Sequence, residues 1–303
     1  MKYSLLLIGV LFFLSCNNST ESTTMDLTGF DLQGHRGARG LKPENTVPAF
    51  LEALKYDVKT LELDVVISAD SQIVLSHEPW FSHAICTKPD GSAITKVEEK
   101  NLSLYKMPYE IIKTYDCGKK GNILFLEQIP MMVYKPTLEM VTTAANVYTK
   151  SRNQPQVYYN IETKTTLDGD NIFHPTPTVF VNLLYNELKH LEILEYTTIQ
   201  SFDVRTLQVL HQLDSTIATA LLIDEEQLDF EANLEKLGFI PNIYSCYYEL
   251  VDADLIKKCH QKGMKIIPWT VNEKSDMKRL IELGIDGLIT DYPNRGQEVL
   301  NSF

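Results

Sequence analysis

Apolar residues recur along this chain with two alternating periods, and the alternation predicts most of its elements. A short strand at Asp31–His35 runs into a glycine-rich turn. Thr46–Tyr56 carries apolar residues at helical spacing, with Asn45 or Thr46 as the N-cap. Thr60–Ile67 (TLELDVVI) is apolar on both faces apart from two carboxylates, the pattern of a strand inside a parallel sheet. Gln72–Ser76 is a further short strand. From Pro136 onward the helical period marks Thr137–Lys150, Thr178–His190, Val204–Gln212, Phe230–Leu237, Asp254–Lys262 and Lys274–Leu283. Strand patterns lie between and after them at Gln156–Thr163, Thr197–Ser201, Thr216–Ile223, Asn242–Tyr247, Lys265–Val271 and Gly287–Ile289. With the strands at Asp31 and Thr60 this makes eight core strands in a repeated β-then-α order, the arithmetic of an α/β (β/α)₈ TIM barrel. A doubly wound open sheet is the alternative.

The pattern fails between about 79 and 135. Turn signals at Pro89-Asp90-Gly91 and Asp116-Cys117-Gly118 mix there with short apolar pieces. The segment is too long for an ordinary loop and reads as an insertion after the second strand region, packed over one end of the barrel as a functional cap.

The first residues have a different character. Lys2 precedes the apolar run Leu5–Leu14, which is too short to span a bilayer and suits a signal peptide. Ser15-Cys16 and a polar Asn/Ser/Thr stretch follow, resembling a bacterial lipoprotein signal; an ordinary secretory signal with an incidental cysteine is the alternative. The expected division is a signal peptide at 1–15, a tether at 16–28 beginning with lipidated Cys16, and the barrel at 29–303. The protein is then exported and anchored by lipid, in the periplasm or at the outer membrane. Of the other cysteines, Cys86 and Cys117 bracket the irregular segment, and a bridge between them is expected in an oxidising compartment. Cys246 and Cys259 read as a buried strand residue and a helix residue. No cysteine stands in a zinc spacing.

A net charge of −12 on 303 residues excludes nucleic acid as the natural partner, because a polyphosphate needs basic neutralisation. Any phosphate ligand must find its positive charge locally, from arginine, lysine or a metal ion.

In a TIM barrel, reactive residues stand at the C-terminal ends of the strands. Glu62 and Asp64 are two apart and so share one strand face, inside the barrel if Leu61, Leu63 and Val65 face the helices. Two such carboxylates repel unless a cation lies between them, or one pairs with a core lysine. Asn160-Ile161-Glu162-Thr163-Lys164 repeats the logic on the next core strand, adding Glu162 and, two residues on, Lys164. Three carboxylates without cysteine or histidine make an all-oxygen site for one divalent cation, Ca²⁺ favoured over Mg²⁺ for an exported protein. His35 and His77 end the first strand and the short strand after the second, so one can accept a proton and the other give one. Arg36 lies between Gly34-His35 and Gly37, where its guanidinium can hold a phosphate. Trp269 can pack on the carbon face of a glycerol or serve only as rim packing. His83 and His174 read as structural.

The ordered set resembles the glycerophosphodiester phosphodiesterase family, within the wider group of phosphodiesterases that share a barrel with phosphatidylinositol-specific phospholipase C. The resemblance rests on Gly34-His35-Arg36-Gly37, Pro43-Glu44-Asn45-Thr46, Glu62-Leu63-Asp64, His77, Asn160 to Lys164, Gln200-Ser201-Phe202-Asp203 and Trp269-Thr270-Val271-Asn272. It implies metal binding by Glu62, Asp64 and Glu162, acid–base work by His35 and His77, and phosphate binding by Arg36 and Lys164. Glu78 stands where the family usually has aspartate. Glu44 and Glu127 match family positions without an evident role. The implied reaction is hydrolysis of a small glycerophosphodiester to sn-glycerol 3-phosphate and an alcohol. The same chemistry on glycerophosphoinositol, a lysophospholipid or a cell-wall polymer, or a barrel that only binds a ligand, are the alternatives.

Overall fold

The computed structural model describes residues 27–303. The proposed signal peptide, Cys16 and nearly all of the tether lie outside the described residues. Among the described residues no helix is long and apolar enough to cross a membrane.

The strands are β1 (Asp31–Gly34), β2 (Thr60–Ile67), β3 (Ile73–Leu75), β4 (Tyr158–Thr163), β5 (Thr197–Ser201), β6 (Ala218–Ile223), β7 (Ile243–Cys246), β8 (Lys265–Ile266) and β9 (Gly287–Thr290). The helices are α1 (Val47–Ala53), α2 (Tyr109–Ile112), α3 (Leu138–Ser151), α4 (Pro177–His190), α5 (Val204–Leu213), α6 (Phe230–Leu237), α7 (Ala253–Gln261), α8 (Lys274–Leu283) and α9 (Pro293–Leu300). Eight parallel strands run in the order β8-β7-β6-β5-β4-β2-β1-β9, and β3 pairs antiparallel with β2 outside that ring. Backbone bonds close the gap between its ends: Asp286 N donates to Ile266 O at 3.1 Å, Ile289 N to Pro268 O at 2.9 Å and Val271 N to Ile289 O at 2.9 Å. The result is a nearly closed TIM barrel, and the open-sheet alternative is set aside.

The strand at Lys265 keeps regular pairing only through Ile266, short of the expected Val271. Pro268 has no N–H to give to a ladder, which ends the regular strand although the chain continues along the barrel. Helix α9 was not foreseen. Its opening Pro293-Asn294-Arg295-Gly296 resembles a turn, yet Gly296 lies against β1, where a Cβ would stand 2.6 Å from Leu32 Cδ1. Thr46, rather than Asn45, caps α1 by accepting from Ala49 N.

All eight residues of β2 are buried. Leu61, Leu63 and Val65 join the core between barrel and helices, each contributing about 1.5–3 kcal/mol by burial. The barrel interior is divided. One side is polar, where Asn160 donates to Gln33 at 2.9 Å and to Gln200 at 3.0 Å, and Gln200 to Glu62 at 2.7 Å. The other is an apolar plug of Ala220, Ile243, Ile267 and Ile289. Leu27 packs against the core just before β1 begins.

Between β3 and α3 the chain forms the cap, which has its own small core. Phe81 stacks on Tyr115 at 3.8 Å between ring centres, beside Val66, Val74, Leu104 and Ile112. Cys86 and Cys117 are bridged across a sequence separation of 31. A loop of that length implies roughly 3–4 kcal/mol of stabilisation. Cys86→Ser/Cys117→Ser is expected to lower the Tm of this part of the protein by several degrees in calorimetry, and an unchanged Tm would show that the cap core suffices. Cys246 and Cys259 are free and buried, their thiols pushed up to about 12 by burial and therefore inert.

Candidate active site

Register builds the carboxylate cluster. Pairing of β2 with β4 sets Glu62 opposite Asn160 and Asp64 opposite Glu162. Alternation then turns all of these inward, toward the C-terminal mouth. Glu62, Asp64 and Glu162 each offer an oxygen within 4.8 Å of the others, and all are buried. Their surroundings force them apart electrically. Glu62 is pushed well above the usual carboxylate range by burial and by Asp64, although Arg36 N donates to its Oε2 at 2.8 Å. Glu162 is pushed up to about 7 by burial and by Asp64, against the pull of Lys164 at 2.7 Å. Burial would raise Asp64 as well, but Arg36 and Lys164 hold it below the usual range. Asn45 donates to Asp64 Oδ2 at 2.7 Å, while the buried Oδ1 has no hydrogen-bond partner. Three converging carboxylates, two of which resist ionisation, and an orphaned carboxylate oxygen fit a hard divalent cation.

His35 is fixed from behind. Its Nδ1 lies 2.7 Å from Asp291 Oδ1, and the same carboxylate receives Arg39 Nε at 2.7 Å, Arg39 Nη2 at 2.9 Å and Asn272 Nδ2 at 2.8 Å. Burial alone would raise Asp291; His35 and Arg39 instead hold it low, so it is ionised and accepts the Nδ1 proton. Burial, with Arg39, brings His35 down to about 4. The neutral ring therefore presents an Nε2 lone pair to the cleft, 3.9 Å from Glu62 Oε2. Asp291 and Arg39 escaped the sequence reading, and Asn272 entered it only within a family segment, without a role. The one available signal was a polar residue directly after the closing strand, the counterpart of His35 after β1.

The turn after β1 is tight. Arg36 and Asn45 adopt left-handed backbone conformations at φ 49 and 54. At Gly37, with φ +85, a Cβ would stand 2.6 Å from the Ala49 carbonyl carbon. The Arg36 guanidinium is gripped by Glu44 at 3.0 Å and lies 3.2 Å from Asp64. Glu44 thus acquires a positioning role. Glu44 and Asp64 take up part of the guanidinium edge, and Lys164 places a second cation beside the cluster, 2.7 Å from Glu162 Oε1.

His77 stands across the mouth, its Nδ1 2.9 Å from Glu78 Oε1. Burial, then Arg36 and Lys164, lower His77, and its bond in turn lowers Glu78. Glutamate at this position therefore does bond the ring. Trp269 lines the mouth, its Nε1 donating to Ser245 O at 3.0 Å and its ring edge-on to Phe202 at 5.5 Å. His35, Arg36, Glu62, His77, Glu162 and Trp269 share one cleft of about 170 Å³. His174 clamps its own loop, accepting from Thr166 N at 3.0 Å, and His83 pairs with Glu99 at 2.7 Å. Glu127 ties the cap to α9 through Arg295 at 2.6 Å. Asp203 caps α5 and holds Arg205.

Known proteins resemble the chain in sequence and fold. A curated relative, the glycerophosphodiester phosphodiesterase of Caldanaerobacter subterraneus subsp. tengcongensis, is 27% identical over 263 residues, 86% of this chain and 93% of its own. A solved structure from Silicibacter pomeroyi, provisionally named for the same activity, superposes with a TM-score of 0.79 at 26% identity, covering 90% of this chain and 93% of that one. A phosphodiesterase from Oleispira antarctica, solved with its product sn-glycerol-3-phosphate, has the same fold with a TM-score of 0.68 at 20% identity, covering 89% of this chain and 96% of that one. The model of the glycerophosphoryl diester phosphodiesterase family matches residues 35–295. The chain belongs to the glycerophosphoryl diester phosphodiesterase family.

Proposed function

We propose that this glycerophosphodiester phosphodiesterase cleaves glycerophosphodiesters to sn-glycerol 3-phosphate and an alcohol, with His35 as base and His77 as acid. The carrying observation is the His35–Asp291 pair, which leaves a neutral histidine with its free nitrogen beside the carboxylate cluster. Arg36 and Lys164 hold the phosphate. Its negative charge offsets the two cations that depress His77, so the ring gains a proton as substrate binds. His35 Nε2 removes the proton of the attacking oxygen, either the substrate's glycerol 2-hydroxyl or water, and His77 protonates the departing alkoxide. Trp269 and Phe202 offer an apolar wall to the glycerol carbons. Glu62, Asp64 and Glu162 would hold one divalent cation, Ca²⁺ in preference to Mg²⁺, which when bound neutralises phosphate charge and polarises the P–O bond.

The test is ³¹P product analysis on a panel of glycerophosphodiesters. Glycerol 3-phosphate from at least one member is expected, and absence of turnover on all would reject the reading. A cyclic phosphate during a single turnover would assign the attack to the 2-hydroxyl. Asp291→Asn is expected to lower kcat about 100-fold with a small change in KM, since the amide neither fixes the His35 tautomer nor supports its charge. An equal change in KM and none in kcat would make Asp291 merely structural.

A lysophospholipid is the second reading. Beside the cleft the cap leaves Ile123, Leu124 and Leu126 79–92% exposed, a surface suited to an acyl chain. Faster turnover of a lysophospholipid than of the deacylated diester with the same head group would favour it. We further propose export and lipidation at Cys16, supported by the Cys86–Cys117 bridge, which persists in oxidising compartments. Cys16→Ala would then release the protein from the membrane fraction.

A further inference from the structure

The cleft continues beyond the barrel mouth. Past Arg36, Arg39 and His77 a second lobe of about 230 Å³ opens beneath the cap. Its carboxylates are already engaged, Glu44 with Arg36 at 3.0 Å and Glu78 with His77 at 2.9 Å. Its donors are not. Lys135 is only 6% exposed, yet among the described residues its ammonium has no hydrogen-bond or ion-pair partner, and Glu44, Glu78 and Asp64 attract it only from further away. Ser82 Oγ accepts from Ala84 N at 3.3 Å, and Asn122 Oδ1 from Leu124 N at 3.1 Å. The Ser82 hydroxyl proton and the Asn122 amide N–H groups therefore remain free to donate. A buried ammonium with two neutral donors beside it, all facing one space, asks for an acceptor-rich guest.

The position of the lobe says which part of a substrate would enter it. Arg36 and His77 line both lobes, so a phosphodiester held there extends one ester arm into each. The barrel-mouth lobe has the aromatic wall, Trp269 and Phe202; the second has no Phe, Tyr or Trp in its lining. A quaternary ammonium group is bound best by aromatic faces, and Lys135 would repel it. The side His77 shares with the second lobe is where a departing alkoxide needs its proton.

We propose that the second lobe is the leaving-group subsite and selects a polyol head group, whose oxygens accept from Lys135, Asn122 and Ser82, over a quaternary ammonium one. This rests on the phosphodiesterase reading above. The test measures kcat/KM for glycerophosphoglycerol and glycerophosphoinositol against glycerophosphocholine in the unaltered protein, Lys135→Met, Lys135→Arg and Asn122→Ala. The ratio of two substrates on one preparation is independent of how much of a variant folds. The polyol esters are expected to lead by about tenfold or more, and Lys135→Met to erase that lead, as loss of a charged donor to a bound hydroxyl implies. Lys135→Arg should retain most of the ratio, and Asn122→Ala should move it part of the way in the same direction. A preference for the choline ester, or a ratio within about twofold of the original in Lys135→Met, would overturn the assignment while leaving the phosphodiesterase reading intact. No turnover of any ester by the unaltered protein would overturn both.

Discussion

Glu162→Gln is expected to abolish the rise in Tm that a divalent cation gives the protein, to lower kcat/KM about 10³-fold, and to raise the Tm of the metal-free protein at pH 8. Without a cation, Glu162 is pushed up to about 7 by burial and Asp64. In the unfolded chain it titrates near the ordinary value, about 4.3. The folded state therefore binds more protons than the unfolded one between those values. The stability this group contributes is present below the unfolded pKa and is lost as pH rises toward 7. At pH 8 the metal-free protein holds a charge that the variant's neutral amide would not carry, and the amide oxygen can still accept from Lys164, which lies 2.7 Å from Glu162 Oε1. The gain from the substitution should shrink at pH 6, where the carboxyl is already protonated. The cation acts in the opposite direction, by mass action on the ionised cluster, so its Tm shift should be larger at pH 8 than at pH 6. A catalytic loss of this size corresponds to about 4 kcal/mol, within the several kcal/mol that metal-ion stabilisation of phosphoryl charge supplies. A variant with normal cation-induced stabilisation would show that the ion is not held here.

His35→Ala and His77→Ala should each cost about 10²–10⁴ in kcat, the usual range for one general acid or base. Their dependence on the leaving group should differ. An ester of p-nitrophenol leaves without protonation, so it should restore most of the activity of His77→Ala and little of that of His35→Ala. The opposite pattern would exchange the two roles, and activity above a few per cent in both variants with natural esters would reject the pair. The assignment follows from geometry on two sides: Asp291 fixes His35 with Nε2 toward the carboxylates, whereas His77 borders the lobe proposed for the leaving group.

Much of this was legible in the sequence because parallel barrel strands are apolar on both faces, and their exceptions are therefore conspicuous. Glu62 and Asp64 stand out in β2 for that reason, and Glu162 with Lys164 in β4. Local patterns carry no such signal for residues joined by barrel closure. Asp291 meets His35 across a sequence separation of 256, and only the pairing of β9 with β1 brings them together. Asn45, Gln200 and Arg39 are ordinary polar residues until the fold turns them onto Asp64, Glu62 and Asp291. Lys135 lay in the irregular segment, where no period indicated which side chains point inward. The short β8 and the unforeseen α9 have a local cause, since Pro268 and the Pro293–Gly296 opening carry turn chemistry at positions where tertiary packing decides.

The proposed reaction needs one cation held by the Glu62–Asp64–Glu162 cluster, on which the histidine chemistry depends. The most direct measurement is turnover of a glycerophosphodiester by chelator-stripped protein, titrated with Ca²⁺ and separately with Mg²⁺ while bound metal is counted. No activity in the stripped protein, restored in proportion to one bound ion per chain and at lower concentration by Ca²⁺, is the expected result. Full turnover by protein holding well under one ion per chain would contradict it.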